Sequence, residues 1–181
     1  MLRKALALAS AGALCALLGL VATGCNDATD GMEVFEATLS PANEVPVRST
    51  AANGRVQFVS DGTTISYSIE VDDINAVIAA HIHSGAAGVN GPIRVWFFGG
   101  GSPTPGGPTT FGDKTILAQG VIRADPVAVV STAPNAVGGV VGISFADLLN
   151  QMRSGTAYVN VHSSQFPGGE MRGQIQLVNV N

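Results

Sequence analysis

The chain has 181 residues, of which 12% are charged, and a formal net charge of −4. Its nine basic side chains form no cluster, which argues against a nucleic-acid partner. Two cysteines are too few for a disulfide scaffold, so the fold must rest on a hydrophobic core.

Arg3 and Lys4, an apolar run from Ala5 to Val21, and Ala22-Thr23-Gly24-Cys25 have the layout of a secretory signal over residues 1–24. Small residues before a cysteine resemble the bacterial lipobox, which implies that Cys25 is lipidated and becomes the first mature residue. Cys15 fits poorly, because Leu14 precedes it and it lies inside the apolar stretch. An uncleaved membrane anchor is the rival reading, since about 20 apolar residues would span a bilayer. Either way the body is expected outside the cytoplasm, tethered to a bacterial envelope membrane. Loss of the leader leaves seven basic against 13 acidic side chains and no pair of cysteines.

Residues 25–32 read as a lipidated terminus and polar tether, and residues 33–181 as one domain of about 150 residues, long enough for a core of its own. Short β-rich runs alternate there with Gly, Pro, Asn and Asp, the pattern of all-β folds. Strands are predicted over Val34–Leu39, Gly54–Ser60, Thr64–Asp72, Ala76–His83, Ile93–Phe98, Thr115–Ala124, Thr156–His162 and Glu170–Val178. Asp61-Gly62 supplies a hairpin turn between the second and third. Eight strands suit a Greek-key sandwich or barrel. In Thr64–Asp72, Ile65, Tyr67, Ile69 and Val71 share the buried face. One helix interrupts the strands, capped by Ser144 with Asp147 in its first turn and ended by Gly155. Gly99–Pro108 reads as a surface insertion, and Ser84–Pro92 as a loop able to fold over the preceding strand.

The three histidines lie in two of these strands. Alternation puts His81 and His83 on one face, opposite Ala80 and Ile82, and puts Tyr158, Asn160 and His162 opposite Val159 and Val161. With the valines and Ile82 in the core, the polar sides face outward, where covering loops would meet them. Three imidazoles suit a single Cu or Zn ion, with Tyr158 or a water as a fourth ligand. The competing reading is a hydrogen-bond network that locks the two strands and the loop, and it leads, because sequence alone does not show convergence. Glu170 shares a strand face with Arg172 and Gln174, which predicts a same-face ion pair or a cross-strand contact, or a Glu170 that orients a histidine. Glu44, in Asn43-Glu44-Val45-Pro46, completes the supporting polar set, although no spacing directs it to the histidines. Trp96, Phe97 and Phe98 are consecutive, with Trp96 and Phe98 opposite Phe97, so at least one is a candidate surface contact unless both faces are covered, and an exposed patch around Trp96 would favour a protein ligand. No Ser-His-Asp order, Cys-His pair, phosphate loop or Cys-X-X-Cys motif is present.

Four stretches in order resemble the CHRD domain: Leu39–Pro46, Ala80–Pro92, Gly155–His162 and Phe166–Gln174. The resemblance spans Glu33 to Val178 and implies an extracellular β domain acting in binding or envelope structure, without an assigned chemistry. A weaker similarity is to the copper/zinc superoxide dismutases, in which a His-X-His strand and a later histidine hold metal on the outer face of a Greek-key barrel. His81, His83 and His162 match that arrangement, but no further histidine exists to bridge a second metal. The expectation is therefore a non-enzymatic envelope lipoprotein with a protein or envelope ligand. The alternative is a mononuclear copper or zinc protein for metal storage or redox protection. An oxidoreductase would need that metal together with an open position.

Overall fold

The computed structural model describes residues 31–99, 115–123, 128–131 and 140–178. They belong to one compact unit, Gly31–Asn181, which contains its own hydrophobic core. The predicted signal, Cys25 and most of the tether fall outside the described residues, as does nearly all of the Gly99–Pro108 insertion. Among the described residues no helix is long and apolar enough to cross a membrane.

Ten strands are described: β1 (Glu33–Leu39), β2 (Asn53–Ser60), β3 (Thr64–Asp72), β4 (Val77–Ser84), β5 (Ile93–Phe98), β6 (Thr115–Arg123), β7 (Ala128–Ser131), β8 (Ala157–Ser163), β9 (Met171–Gln174) and β10 (Gln176–Val178). They form two antiparallel sheets, β10-β1-β2-β3-β6-β7 and β5-β4-β8-β9, so the sandwich form of the prediction holds. Two strands exceed the expected eight. Ala128–Ser131 pairs with β6, and the single strand predicted over Glu170–Val178 changes sheets at Ile175. Ile175 is itself buried, and the switch leaves Leu177 42% exposed rather than in the core.

Strict alternation explains the larger sheet. Ile65, Tyr67, Ile69 and Val71 of β3 all face inward, beside Phe35 of β1 and Phe58 of β2. Burying each such side chain contributes about 1.5–3 kcal/mol. Phe97 of β5 closes the sandwich from the other side, its ring 4.5 Å from that of Tyr67 and 6.2 Å from that of Phe58. Asp61 forms the β2–β3 turn by accepting the Thr63 and Thr64 amides at 2.7 and 2.6 Å, with Gly62 at φ +84°. The predicted helix is α1 (Phe145–Arg153); Ser144 and Asp147 form a reciprocal capping box, and Leu148, Leu149 and Met152 are buried.

The smaller sheet is covered on both faces. Ala80, Ile82, Val159, Val161 and Met171 enter the core, while nearly every residue of β8 is buried whichever way it points. Three segments cover its outer face: the loop between β4 and β5, the turn between β8 and β9, and the short 3₁₀ turn Pro41–Asn43 with the chain after it.

Candidate functional site

Register builds the site. Across the outer face, Trp96, His81, Asn160 and Arg172 stand opposite one another on β5, β4, β8 and β9, and Ile93, His83, Tyr158 and Gln174 form the adjacent row. His162 faces Ala79 at the end of the same face. Directly opposed residues have neighbouring side chains. The His81 ring therefore lies 5.1 Å from that of His83 and 4.6 Å from that of His162. One ring nitrogen from each histidine falls within 4.8 Å of the others.

The face points away from the core and is covered. His81 is only 3% exposed, and Asn160 and Tyr158 are equally buried. The β4–β5 loop folds over them, as the sequence anticipated: Gly91 O accepts from His83 Nδ1 at 2.7 Å, and the Gly91 amide donates to Tyr158 Oη at 3.2 Å. A Cβ on Gly91 would overlap Ser84 O, so the approach requires glycine. On the other side, Pro167 O accepts from His162 Nδ1 at 2.9 Å.

These bonds fix the tautomers of the neutral rings. With Nδ1 of His83 donating to Gly91, its Nε2 accepts, and His81 Nδ1 donates to it at 3.1 Å. His81 Nε2 and His162 Nε2 are then buried lone pairs without a partner. Burial pushes the pKa of all three below the usual histidine value. For His81 the pKa falls to about 2, because His162 and His83 add to the desolvation. His83 and His162 are lowered mainly by burial, and the Gly91 and Pro167 carbonyls partly oppose the shift. The imidazoles are therefore neutral, the state that ligates a metal.

Beside them lies a charged network. Arg172 is buried and donates from Nε to Glu44 Oε2 at 2.9 Å, its Nη2 lies 2.7 Å from the same oxygen as an ion pair, and Asn160 donates to the other Glu44 oxygen. The predicted Glu170–Arg172 pair is thus replaced by Glu44–Arg172. Glu170 precedes β9, is buried, and hydrogen-bonds none of the histidines, so it does not orient them. The guanidinium lies 4.5 Å over the Tyr158 ring, whose other partner is the His83 ring, stacked at 4.9 Å. Tyr158 is thus a packing partner of His83 and Arg172 and an acceptor for the loop amide. Asn90 ties the loop down, accepting from Arg172 Nη2 at 2.6 Å and donating to Val45 O at 3.2 Å.

Trp96 forms no exposed patch; its ring packs edge-on against His81 at 4.3 Å, and Phe97 and Phe98 are both buried. The sequence reading missed Asn90 and the carbonyls of Gly91 and Pro167. The glycine- and proline-rich turns that follow each histidine segment were the available signal.

Residues 35–175 match the family model of the CHRD domain, and the chain belongs to that family of binding or structural domains. Neither the comparison with curated proteins nor that with solved structures yields a match.

Proposed function

We propose that this chain is a lipid-anchored binding domain of the bacterial cell envelope, held outside the cytoplasm through Cys25, whose ligand is one copper or zinc ion carried by His81, His83 and His162. The observation that carries the metal reading is the pair of backbone carbonyls behind the rings. Gly91 O and Pro167 O each hold an Nδ1–H, which leaves Nε2 of His83 and of His162 facing the cluster. A carbonyl behind the imidazole is the usual support of a ligating histidine.

Each side chain then has a part. A metal ion would replace the hydrogen bond between His81 and His83, whose nitrogens at 3.1 Å lie close to the roughly 3.3 Å that two ligands of a tetrahedral ion subtend. His81 would shift its proton from Nδ1 to Nε2 to present Nδ1, with no net proton released. Trp96 and Tyr158 hold the His81 and His83 rings in orientation, and the Glu44–Arg172–Asn90 network keeps the loop over them. Storage of metal, or protection against free metal in the envelope, needs no more than this arrangement.

A structural network is the second reading, favoured by the direct His81–His83 hydrogen bond. Elemental analysis of the full chain in detergent, after loading with copper or zinc, separates the two. About one ion per chain, lost in His83→Ala, is the expected result; an absence of metal in both proteins would leave the structural network. The anchor is tested by detergent-phase partition: Cys25→Ala is expected to move the protein to the aqueous phase, and unchanged partition would refute lipidation there.

A further inference from the structure

We infer that the three-histidine site is built for a monovalent copper ion, Cu(I), in preference to a divalent ion; this rests on the metal reading above and names the ion. Three observations carry it.

The donor set is neutral. Among the described residues the cluster consists of imidazoles alone, with no carboxylate or thiolate to offset the charge of a bound cation. The site is also enclosed: the ligand nitrogen Nε2 of His162 is shut off from solvent, and His81 is 3% exposed. The cost of bringing an ion into such a place grows as the square of its charge, so a divalent ion meets about four times the penalty of a monovalent one.

The neighbouring charges do not compensate. Arg172, a buried cation, stands in the same row as His81, its guanidinium 4.5 Å over the Tyr158 ring that stacks on His83. The Glu44 carboxylate is already committed to Arg172, Asn160 and the Val45 amide. Glu170, the other buried acid here, contacts none of the three rings by hydrogen bond.

Coordination number points the same way. A tetrahedral zinc ion would need a fourth ligand, such as a water, beyond the three imidazoles. Cu(I) is satisfied by two or three donors, and the aromatic walls of Trp96 and Tyr158 suit an ion of low charge and weak hydration.

The test is a pair of anaerobic competition titrations on the full chain in detergent: Cu(I) against bicinchoninate and Zn(II) against a pyridylazo dye, with Ag(I) as an air-stable monovalent probe. One equivalent of Cu(I) and of Ag(I), bound at least tenfold tighter than Zn(II), is expected. Zn(II) binding as tight or tighter overturns this inference and leaves the metal reading standing, whereas no binding of any of the three ions overturns both. Glu44→Gln supplies a second readout, because it leaves the Arg172 charge uncompensated. Coulomb energy is linear in ion charge, so any factor lost by Ag(I) should appear squared for Zn(II). Comparison within one protein sample cancels partial misfolding, and equal losses for the two ions would remove the electrostatic ground for the inference.

Discussion

Acid should destabilise the metal-free protein well above the range in which carboxylates titrate. Lowering the pH from 7 to 5 is the perturbation, and His81 sets the scale. Its pKa is about 2 in the fold and 6.5 when unfolded, so across this window the unfolded chain takes up a proton that the native ring refuses. Stability therefore falls as pH falls below 6.5, by about 1.36 kcal/mol per unit. Over the 1.5 units from 6.5 to 5 that is about 2 kcal/mol from His81 alone, and His83 and His162 act in the same direction. Glu33, lowered by Arg153, loses its contribution only as pH falls below its ordinary value of 4.5, so it stays outside the window. Urea unfolding at pH 7, 6 and 5 measures the slope. In His81→Asn, whose amide can still donate toward His83, the slope should drop by about one proton. A flat profile in the native protein, or the same slope in the variant, would refute the buried neutral imidazole.

Three further outcomes follow from the supporting residues. Glu44→Ala should cost about 3–5 kcal/mol by urea unfolding, because Arg172 is left as an unpaired buried charge, whereas exchanging both partners for apolar residues should cost much less. Gly169→Ala should destabilise more than Gly62→Ala: both have positive φ, but only at Gly169 would the Cβ meet Glu44 Oε1 at 2.8 Å and Asn160 Nδ2 at 2.9 Å, adding about 1–3 kcal/mol of overpacking. Ser144→Ala removes the α1 cap and should cost about 1 kcal/mol without altering metal uptake, which elemental analysis checks.

Much of the fold was legible because alternation is a local signal. Ile65, Tyr67, Ile69 and Val71 declared the inner face of β3, and Ser144 with Asp147 declared the start of α1. The shared face of His81 and His83, with Ala80 and Ile82 behind it, followed from the same rule. What escaped was set by distant parts of the chain. A strand covered on both faces, such as β8, gives no sign of how deeply its polar side lies. The sheet switch at Ile175 depends on β1 offering an edge to Gln176–Val178. Ala128–Ser131 is too short for its pattern to show. The pairing of Arg172 with Glu44 spans 128 residues of sequence, and no periodicity carries that information.

The unpaired atoms on the outer face bear on the choice between a structural network and the proposed binding site. A network that exists to lock strands should satisfy its members, since each buried unsatisfied polar atom costs about 1–3 kcal/mol. Here Glu44 is saturated, yet His81 Nε2, His162 Nε2, Asn160 Oδ1 and Arg172 Nη1 lack partners among the described residues. Two of these are imidazole lone pairs within one cluster, on rings whose far sides are held by carbonyls or neighbours. Apolar side chains in their place would make a better staple. Keeping three mutually close, neutral, covered imidazoles lowers the stability of the empty domain, and in the proposed metal reading an ion held by Nε2 of His83 and of His162 and by Nδ1 of His81 would offset that cost. These unpaired atoms favour the proposed reading, in which Glu44, Arg172 and Asn90 are the support and the histidines the ligand-binding part.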